Sequence, residues 1–379
     1  MKSRNLGWPL LVALFSSSAW AESKFNLTQG VTEVSHEVYD LHMLVLYICT
    51  VIGVIVFGAM AWSMFFHRKS KGYVPATFHE STKVELLWTI IPIIILIGMA
   101  YPATITLIDI ENNDDSDLTI QVTGSQWKWH YSYFDQGVGF YSTLSTPRAQ
   151  WDNLSGEGEA KGENYLLEVD KHLVIPANRK VRFLITSDDV IHSWWVAAFA
   201  VKQDAVPGFI NESWTIATKP GTYRGQCAEL CGKDHGYMPI VVDVLPEAEF
   251  DVWLQAQKAE AIAVAAAEKA SLAERMTMDE SMALGESTYQ TACAACHQPN
   301  GLGMPPAFPA LKASPIALGD VSKHIDIVVN GKPGTSMQAF GKQLSFKQLA
   351  AVITYERNAW GNNTGDLVQT SDVKAATGK

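Results

Sequence analysis

Two stretches in the first third of the chain carry no charge. Leu41 to Phe66 contains no Lys, Arg, Asp or Glu over 26 residues, and Leu86 to Ile108 is equally free of them. As a helix the first is ~39 Å long, enough to cross a bilayer. The second contains Pro92 and Pro102, which membrane helices tolerate better than soluble ones. The pattern predicts transmembrane helices over 41–66 and 84–108. The loop 67–83 between them holds Arg68, Lys69, Lys71 and Lys83 against Glu80, so the positive-inside rule makes it cytoplasmic and turns both ends of the hairpin outward. A shorter apolar run, Leu10 to Phe15, follows Lys2 and Arg4 and precedes Ala19-Trp20-Ala21. That order reads as a secretory signal over 1–21, with the mature chain expected to begin at Glu22 and an exported segment over 22–40.

After Ile108 the period changes to two. Leu118–Val122 and Trp127–Tyr133 alternate, and further short runs at Tyr165–Val169, Val181–Thr186, Trp214–Ala217 and Ile240–Leu245 are separated by turn residues. Short strands of this kind over 109–246 predict a β-sandwich. From Glu247 the composition favours helix, with nine Ala among the nineteen residues of Gln255–Ala273. Residues 247–279 are expected to form a helical linker, either a spacer between two domains or a helix packed on the sandwich. As one unbroken helix it would span ~50 Å, so a hinge near Met276–Asp279 is expected if the next domain is to fold back. Residues 280–361 then read as a small, mostly helical domain, and 362–379 as a loose polar tail.

Composition changes this picture little. The chain has 379 residues, 47% of them hydrophobic, and a formal net charge of −10. Residues 109–250 hold 21 acidic against 11 basic groups, whereas 280–379 hold 7 against 8. The acidic middle domain disfavours a nucleic-acid partner and suits solubility or the docking of a basic protein.

Four of the five cysteines fall in two tight pairs. Cys49, inside the first span, reads as a packing residue. Cys227, Cys231, His235 and Met238 follow one another at spacings of four, four and three residues, a soft sulfur and imidazole set on one loop that suits copper cycling between its two oxidation states. A single blue-copper site needs one cysteine, so the second points to two thiolates bridging two coppers. Each copper needs its own imidazole, and His192, in His-Ser-Trp after a strand, is the candidate for the other. A Cys227–Cys231 disulfide is the alternative, and it leaves His235 and Met238 without a role. The second pair is Cys293-Ala294-Ala295-Cys296-His297, the attachment motif for a covalent c-type haem with His297 as an iron ligand. A redox disulfide or half a zinc site is the alternative. Met337, in a Gly- and Ser-containing loop, is the expected second ligand, and Met304, only seven residues past His297, the less suitable one.

The Cys-x-x-x-Cys-x-x-x-His-x-x-Met motif, the upstream His-Ser-Trp and the preceding hairpin resemble cytochrome c oxidase subunit II from about Ser35 to Pro246. The resemblance implies a cupredoxin-like sandwich whose His192, Cys227, Cys231, His235, Met238 and Glu229 carbonyl hold a dinuclear copper A centre. It implies that the Glu229 carboxylate binds magnesium shared with subunit I, that electrons arrive at Trp127, and that Glu85 stands at the mouth of a proton path. Ala197 and Ala200 depart from the Pro and Gly of many relatives. The segment from Ala283 to Trp360 resembles a class I cytochrome c domain, with Tyr289, Tyr355 and Trp360 on its first and last helices. Together these imply a multidomain chain of transmembrane hairpin, cupredoxin-like β-sandwich and all-α cytochrome c domain. Its expected role is to pass electrons from haem c to copper A and on to subunit I, which reduces dioxygen to water and pumps protons. Subunits I and III, a cytochrome c or other periplasmic donor, and the bacterial inner membrane, with both redox domains on the periplasmic side, are the expected surroundings. Nitrous oxide reductase shares the copper motif, but it needs a propeller and more than the ten histidines present. Quinol oxidase subunits lack the ligands. A membrane-tethered electron-transfer or copper-handling protein with no oxidase partner is the alternative.

Overall fold

The computed structural model describes residues 26–77, 79–151 and 159–377. The expected signal over 1–21 lies outside the described residues. The chain divides into two compact units, the first containing the hairpin and the second beginning at Asn113.

In the first unit, helix α1 spans Glu33–Phe66 and α2 spans Thr82–Glu111. Helix α1 starts ahead of the apolar run because Thr32 and Ser35 form a reciprocal cap: Thr32 Oγ1 accepts from the Ser35 N–H (2.9 Å) and Ser35 Oγ from the Thr32 N–H (3.0 Å). Both helices are long and apolar enough to cross a membrane. Side chains such as Val54, Phe57, Ile94 and Ile97 are exposed along them, as a lipid-facing surface requires.

The second unit opens with two five-stranded sheets. One contains β1 (Leu118–Ser125), β2 (Lys128–Tyr133), β3 (Val138–Ser142), β5 (Val181–Ser187) and β8 (Asn211–Thr215) in the order β3-β2-β1-β5-β8. The other contains β4 (Leu173–Pro176), β6 (His192–Val196), β7 (Val201–Ala205), β9 (Gly221–Cys227) and β10 (Pro239–Leu245) in the order β4-β10-β9-β6-β7. The period-two pattern aims Trp129, Tyr131 and Tyr133 of β2 and Val181, Phe183 and Ile185 of β5 into the core, and all six are fully buried. Each sheet has one parallel pairing, β1 with β5 and β4 with β10.

Helix α3 (Glu247–Ser271) is tied down at both ends. Phe250 and Leu254 are buried, and Trp253 packs on Tyr133 at a ring separation of 5.3 Å. Near its far end, Glu268 Oε1 accepts from the Phe346 N–H at 2.5 Å. The helix stops at Ser271, and the chain turns before the Thr277–Glu280 capping box starts α4 (Met278–Ala292). The break falls a few residues ahead of the expected hinge, with Met276 buried beyond it.

Helices α4, α5 (Ala294–His297), α6 (Val321–Asn330) and α7 (Phe346–Asn358) build a small core around Tyr289, Ile325, Val328, Leu349 and Val352. Helices α4 and α7 cross at Gly285, where an added Cβ would stand 2.3 Å from the Ala351 carbonyl. The segment after Gly361, read as a loose polar tail, is instead packed. Val368 and Val373 are buried, Thr370 Oγ1 donates to the Ser271 carbonyl (2.9 Å), and Thr370–Thr377 forms helix α8. Two apolar anchors suffice because each meets a preformed helical surface.

Candidate metal and haem centres

His192 starts β6, Cys227 ends β9, and the Cys231 loop crosses between them. One ligand atom each from His192, Cys227 and Cys231 lies within 4.8 Å of the others, and all three residues are buried. The two sulfurs are 3.8 Å apart, too far for a disulfide. His192 Nδ1 is 3.9 Å from Cys227 Sγ, and His235 Nδ1 is 3.5 Å from Cys231 Sγ, so an imidazole stands by each sulfur. The Glu229 carbonyl lies 3.4 Å from Cys227 Sγ, while its side chain is exposed. Met238 is buried, and its carbonyl accepts from the Cys227 N–H at 3.1 Å. The set fits a soft, copper-type centre.

The electrostatics agree. The hydrogen bond with Cys231, aided by backbone amides, pulls the Cys227 thiol far below its usual range, and Cys227 in turn pushes Cys231 up.

Three neighbours of this cluster were not singled out by the sequence pattern. Asp189 Oδ1 accepts from His192 Nε2 at 2.8 Å, which leaves Nδ1 as the ring's lone-pair donor. Its other oxygen accepts from the Gln126 N–H at 2.7 Å, and these bonds hold its carboxyl below the usual range despite burial. Gly124 leaves room for the His192 ring, and Gln126 Nε2 donates to the Cys231 carbonyl at 2.8 Å. An acidic residue three positions before His192 was the only available hint. Trp127 Nε1 donates to the same Cys231 carbonyl at 3.3 Å, so the indole rests on the cysteine loop.

Cys293, Cys296 and His297 lie together at the end of α4 and along α5. Burial and Glu356 drive the Cys293 thiol up, and burial pushes Cys296 up to about 11. His297 Nδ1 donates to the Pro309 carbonyl at 2.8 Å, leaving Nε2 for a metal. Cys293 and Met337 both pack against the small domain's core. Met304 is instead pinned in a narrow bridge, exchanging backbone hydrogen bonds with Phe308 at 2.8 and 3.1 Å. Tyr289, Tyr355 and Trp360 form one aromatic cluster, with Tyr289 and Trp360 rings 4.7 Å apart. The donor set and the aromatic, mostly apolar surroundings fit a haem.

The two centres face one another. Lys233 Nζ, two residues past Cys231, donates to the Ala295 carbonyl at 2.8 Å. Gln338, next to Met337, donates to the Gln126 carbonyl and lies 3.5 Å from Asp189. In the hairpin unit, Glu85 sits exposed in the first turn of α2, where Oε1 accepts from the Ser81 N–H at 3.3 Å.

A membrane hairpin, a sandwich with a dithiol–imidazole metal cluster and a helical Cys-x-x-Cys-His domain define a membrane-anchored redox metalloprotein. Comparison narrows the class. Residues 118–245 match the periplasmic domain of cytochrome C oxidase subunit II, and residues 20–105 its transmembrane domain. Residues 280–355 match cytochrome C oxidase, cbb3-type, subunit III. Similar proteins include a probable cytochrome c oxidase subunit 2 of Rickettsia bellii, 40% identical over 64% of this chain and 89% of that one. Cytochrome c oxidase subunit 2 of Cereibacter sphaeroides is 35% identical over 60% and 78%. The crystal structure of the periplasmic domain of subunit II of cytochrome oxidase (CoxB) of Bradyrhizobium japonicum is 41% identical, covering 38% of this chain and 96% of that one, with a TM-score of 0.34. The chain belongs to the cytochrome c oxidase subunit II family and carries a cytochrome c domain fused at its C-terminal side. Membership implies a copper A site, a haem and a membrane oxidase complex with subunit I.

Proposed function

We propose that this chain is the subunit through which electrons enter an oxidase complex: taken up at the cytochrome domain, they cross to the copper domain and pass to subunit I, where dioxygen is reduced to water and protons are pumped. The observation that carries this reading is the facing of the two donor sets, with the Cys-x-x-Cys-His helix bonded to Lys233 of the cysteine loop and the Met337 loop bonded to Gln126 beside Trp127. When bound, a covalent haem and a copper pair supply one-electron storage at neighbouring sites. Cys293 and Cys296 would anchor the haem, with His297 and Met337 as iron ligands. His192, Cys227, Cys231, His235, Met238 and the Glu229 carbonyl would hold the copper pair.

The chain's other groups position these. Asp189 fixes the His192 tautomer, and the hydrogen bonds from Trp127 and Gln126 to the Cys231 carbonyl join the patch where electrons arrive to the cysteine loop. The exposed Glu229 carboxylate is free to take magnesium at a subunit I interface. Glu85 would collect protons at the mouth of a path into that subunit. In this reading both redox domains lie on the periplasmic side of a bacterial inner membrane. Subunit III joins the complex, and a cytochrome c or similar periplasmic protein is the donor.

The test is spectroscopic, on the purified complex. The chain should retain haem after denaturation, and its paramagnetic resonance should show the multi-line pattern of one electron shared by two copper nuclei. Cys227→Ser should abolish that pattern and leave the haem spectrum intact. A single-copper pattern in the natural protein, or haem lost on denaturation, would overturn the reading.

A further inference from the structure

Gln338 follows Met337 directly in the chain and is half-buried where the cytochrome domain meets the sandwich. Its amide has a defined orientation. Gln343 Nε2 donates to the Ala339 carbonyl at 2.9 Å and to Gln338 Oε1 at 3.4 Å. The Gln338 oxygen therefore points to its own domain and the NH2 group to the sandwich, where two acceptors lie. They are the Gln126 carbonyl and, at 3.5 Å, Asp189 Oδ2.

Each acceptor leads on to a different copper-side ligand. Asp189 Oδ1 accepts from His192 Nε2 at 2.8 Å, and Gln126 Nε2 donates to the Cys231 carbonyl at 2.8 Å. The Gln126 N–H also donates to Asp189 Oδ2 at 2.7 Å, so the two branches are joined. One peptide bond, one side chain and two hydrogen bonds thus lead from Met337 to the His192 ring. Electron tunnelling weakens steeply with distance, and faster across an empty gap than along covalent and hydrogen-bonded atoms. Docking of the domain has other supports. Lys233 Nζ donates to the Ala295 carbonyl at 2.8 Å, and Lys128 Nζ lies 5.3 Å from the ring centre of Phe340.

We propose that Gln338 bridges the two redox centres, its amide completing the hydrogen-bonded route by which an electron passes from the Met337 side to His192 and Cys231. The inference rests on the functional reading above. The step moves one electron from haem to copper, with no bond made or broken and no proton transferred. Lys233 offers the rival route from Ala295, but that one runs through a longer side chain and Gly232 before it reaches Cys231.

The experiment is flash photolysis of the full chain in its purified complex, with ruthenium tris-bipyridine as the photoreductant. Loss of reduced haem is matched against gain of reduced copper after the flash. Gln338→Met keeps an unbranched stem and removes the donor. It should slow internal transfer roughly tenfold, the scale on which losing a group that supports metal ligands costs activity. Both midpoint potentials and the oxidative footprint of Trp127 should stay as in the natural chain. Gln338→Glu keeps the shape, has no hydrogen to donate when ionised and faces Asp189, so it should slow the step at least as much. An unchanged rate in either variant would overturn the proposal. So would slowing in Gln338→Met that comes with heavier oxidation of Trp127 or a shifted haem midpoint, which would leave Gln338 a docking or packing residue only. Greater slowing by Lys233→Met than by Gln338→Met would give the transfer to the rival route. A natural complex without a covalent haem and a copper pair would sink the functional reading itself, before any variant is compared.

Discussion

Replacing Gly124 with Ala tests how firmly the upstream histidine is held. On backbone grounds the change should help: Gly124 is not among the positive-φ glycines, and Gly→Ala at such a position typically stabilises by ~0.4–1 kcal/mol through the unfolded chain. The neighbours reverse the sign. An added Cβ would stand 2.9 Å from His192 Cδ2, 3.0 Å from Cγ and 3.2 Å from Cβ. Comfortable carbon contacts lie at about 3.5–4.0 Å, so the ring must retreat by ~0.5 Å or more. It has little room, being fully buried, edge-on to Trp129 at 6.0 Å and hydrogen-bonded to Asp189 at 2.8 Å. Overpacking of this kind costs about 1–3 kcal/mol, which outweighs the backbone gain and leaves a net loss on the order of 1 kcal/mol. Because the ring that moves is a proposed ligand, copper affinity should fall ~10-fold or more, as for other disturbances of a ligand's supporting shell. Thermal unfolding of the metal-depleted chain and chelator competition of the loaded one would read the two effects. A Gly124→Ala protein that is more stable and binds copper as before would refute the reasoning.

Two further predictions concern the haem and the membrane. Met337→Ala should remove the sulfur-to-iron charge-transfer band at the red end of the spectrum and lower the haem potential, because loss of a thioether ligand lowers potential. Met304→Ala should do neither, and loss of the band there instead would identify the wrong methionine. Glu85→Gln keeps an acceptor for the Ser81 N–H, so the helix terminus should lose at most ~1 kcal/mol of charge–dipole stabilisation. Oxygen turnover by the complex should nevertheless slow, with haem-to-copper transfer unchanged, and full turnover would leave Glu85 as an interfacial carboxylate only.

The sequence by itself determined whatever depends on near neighbours along the chain. Two uncharged runs long enough to span a bilayer announced the hairpin. The spacing of Cys227, Cys231, His235 and Met238 put four soft donors on one loop, and Cys-x-x-Cys-His needs only five consecutive residues. His192 was within reach of the same reasoning because a second imidazole was required and it followed a strand. Polar composition misled at the C-terminal end, where Val368 and Val373 show no period and yet each is buried. Tertiary structure decided the rest. Gly124 meets His192 across 68 positions only because β1 and β6 lie in facing sheets. Gln338 and Lys128 acquire partners only because α3 stops at Ser271 and lets the cytochrome domain return to the sandwich. Ligand spacing is a covalent constraint written in the order of residues. The shell that orients those ligands is a packing result, and it depends on which distant surfaces find each other.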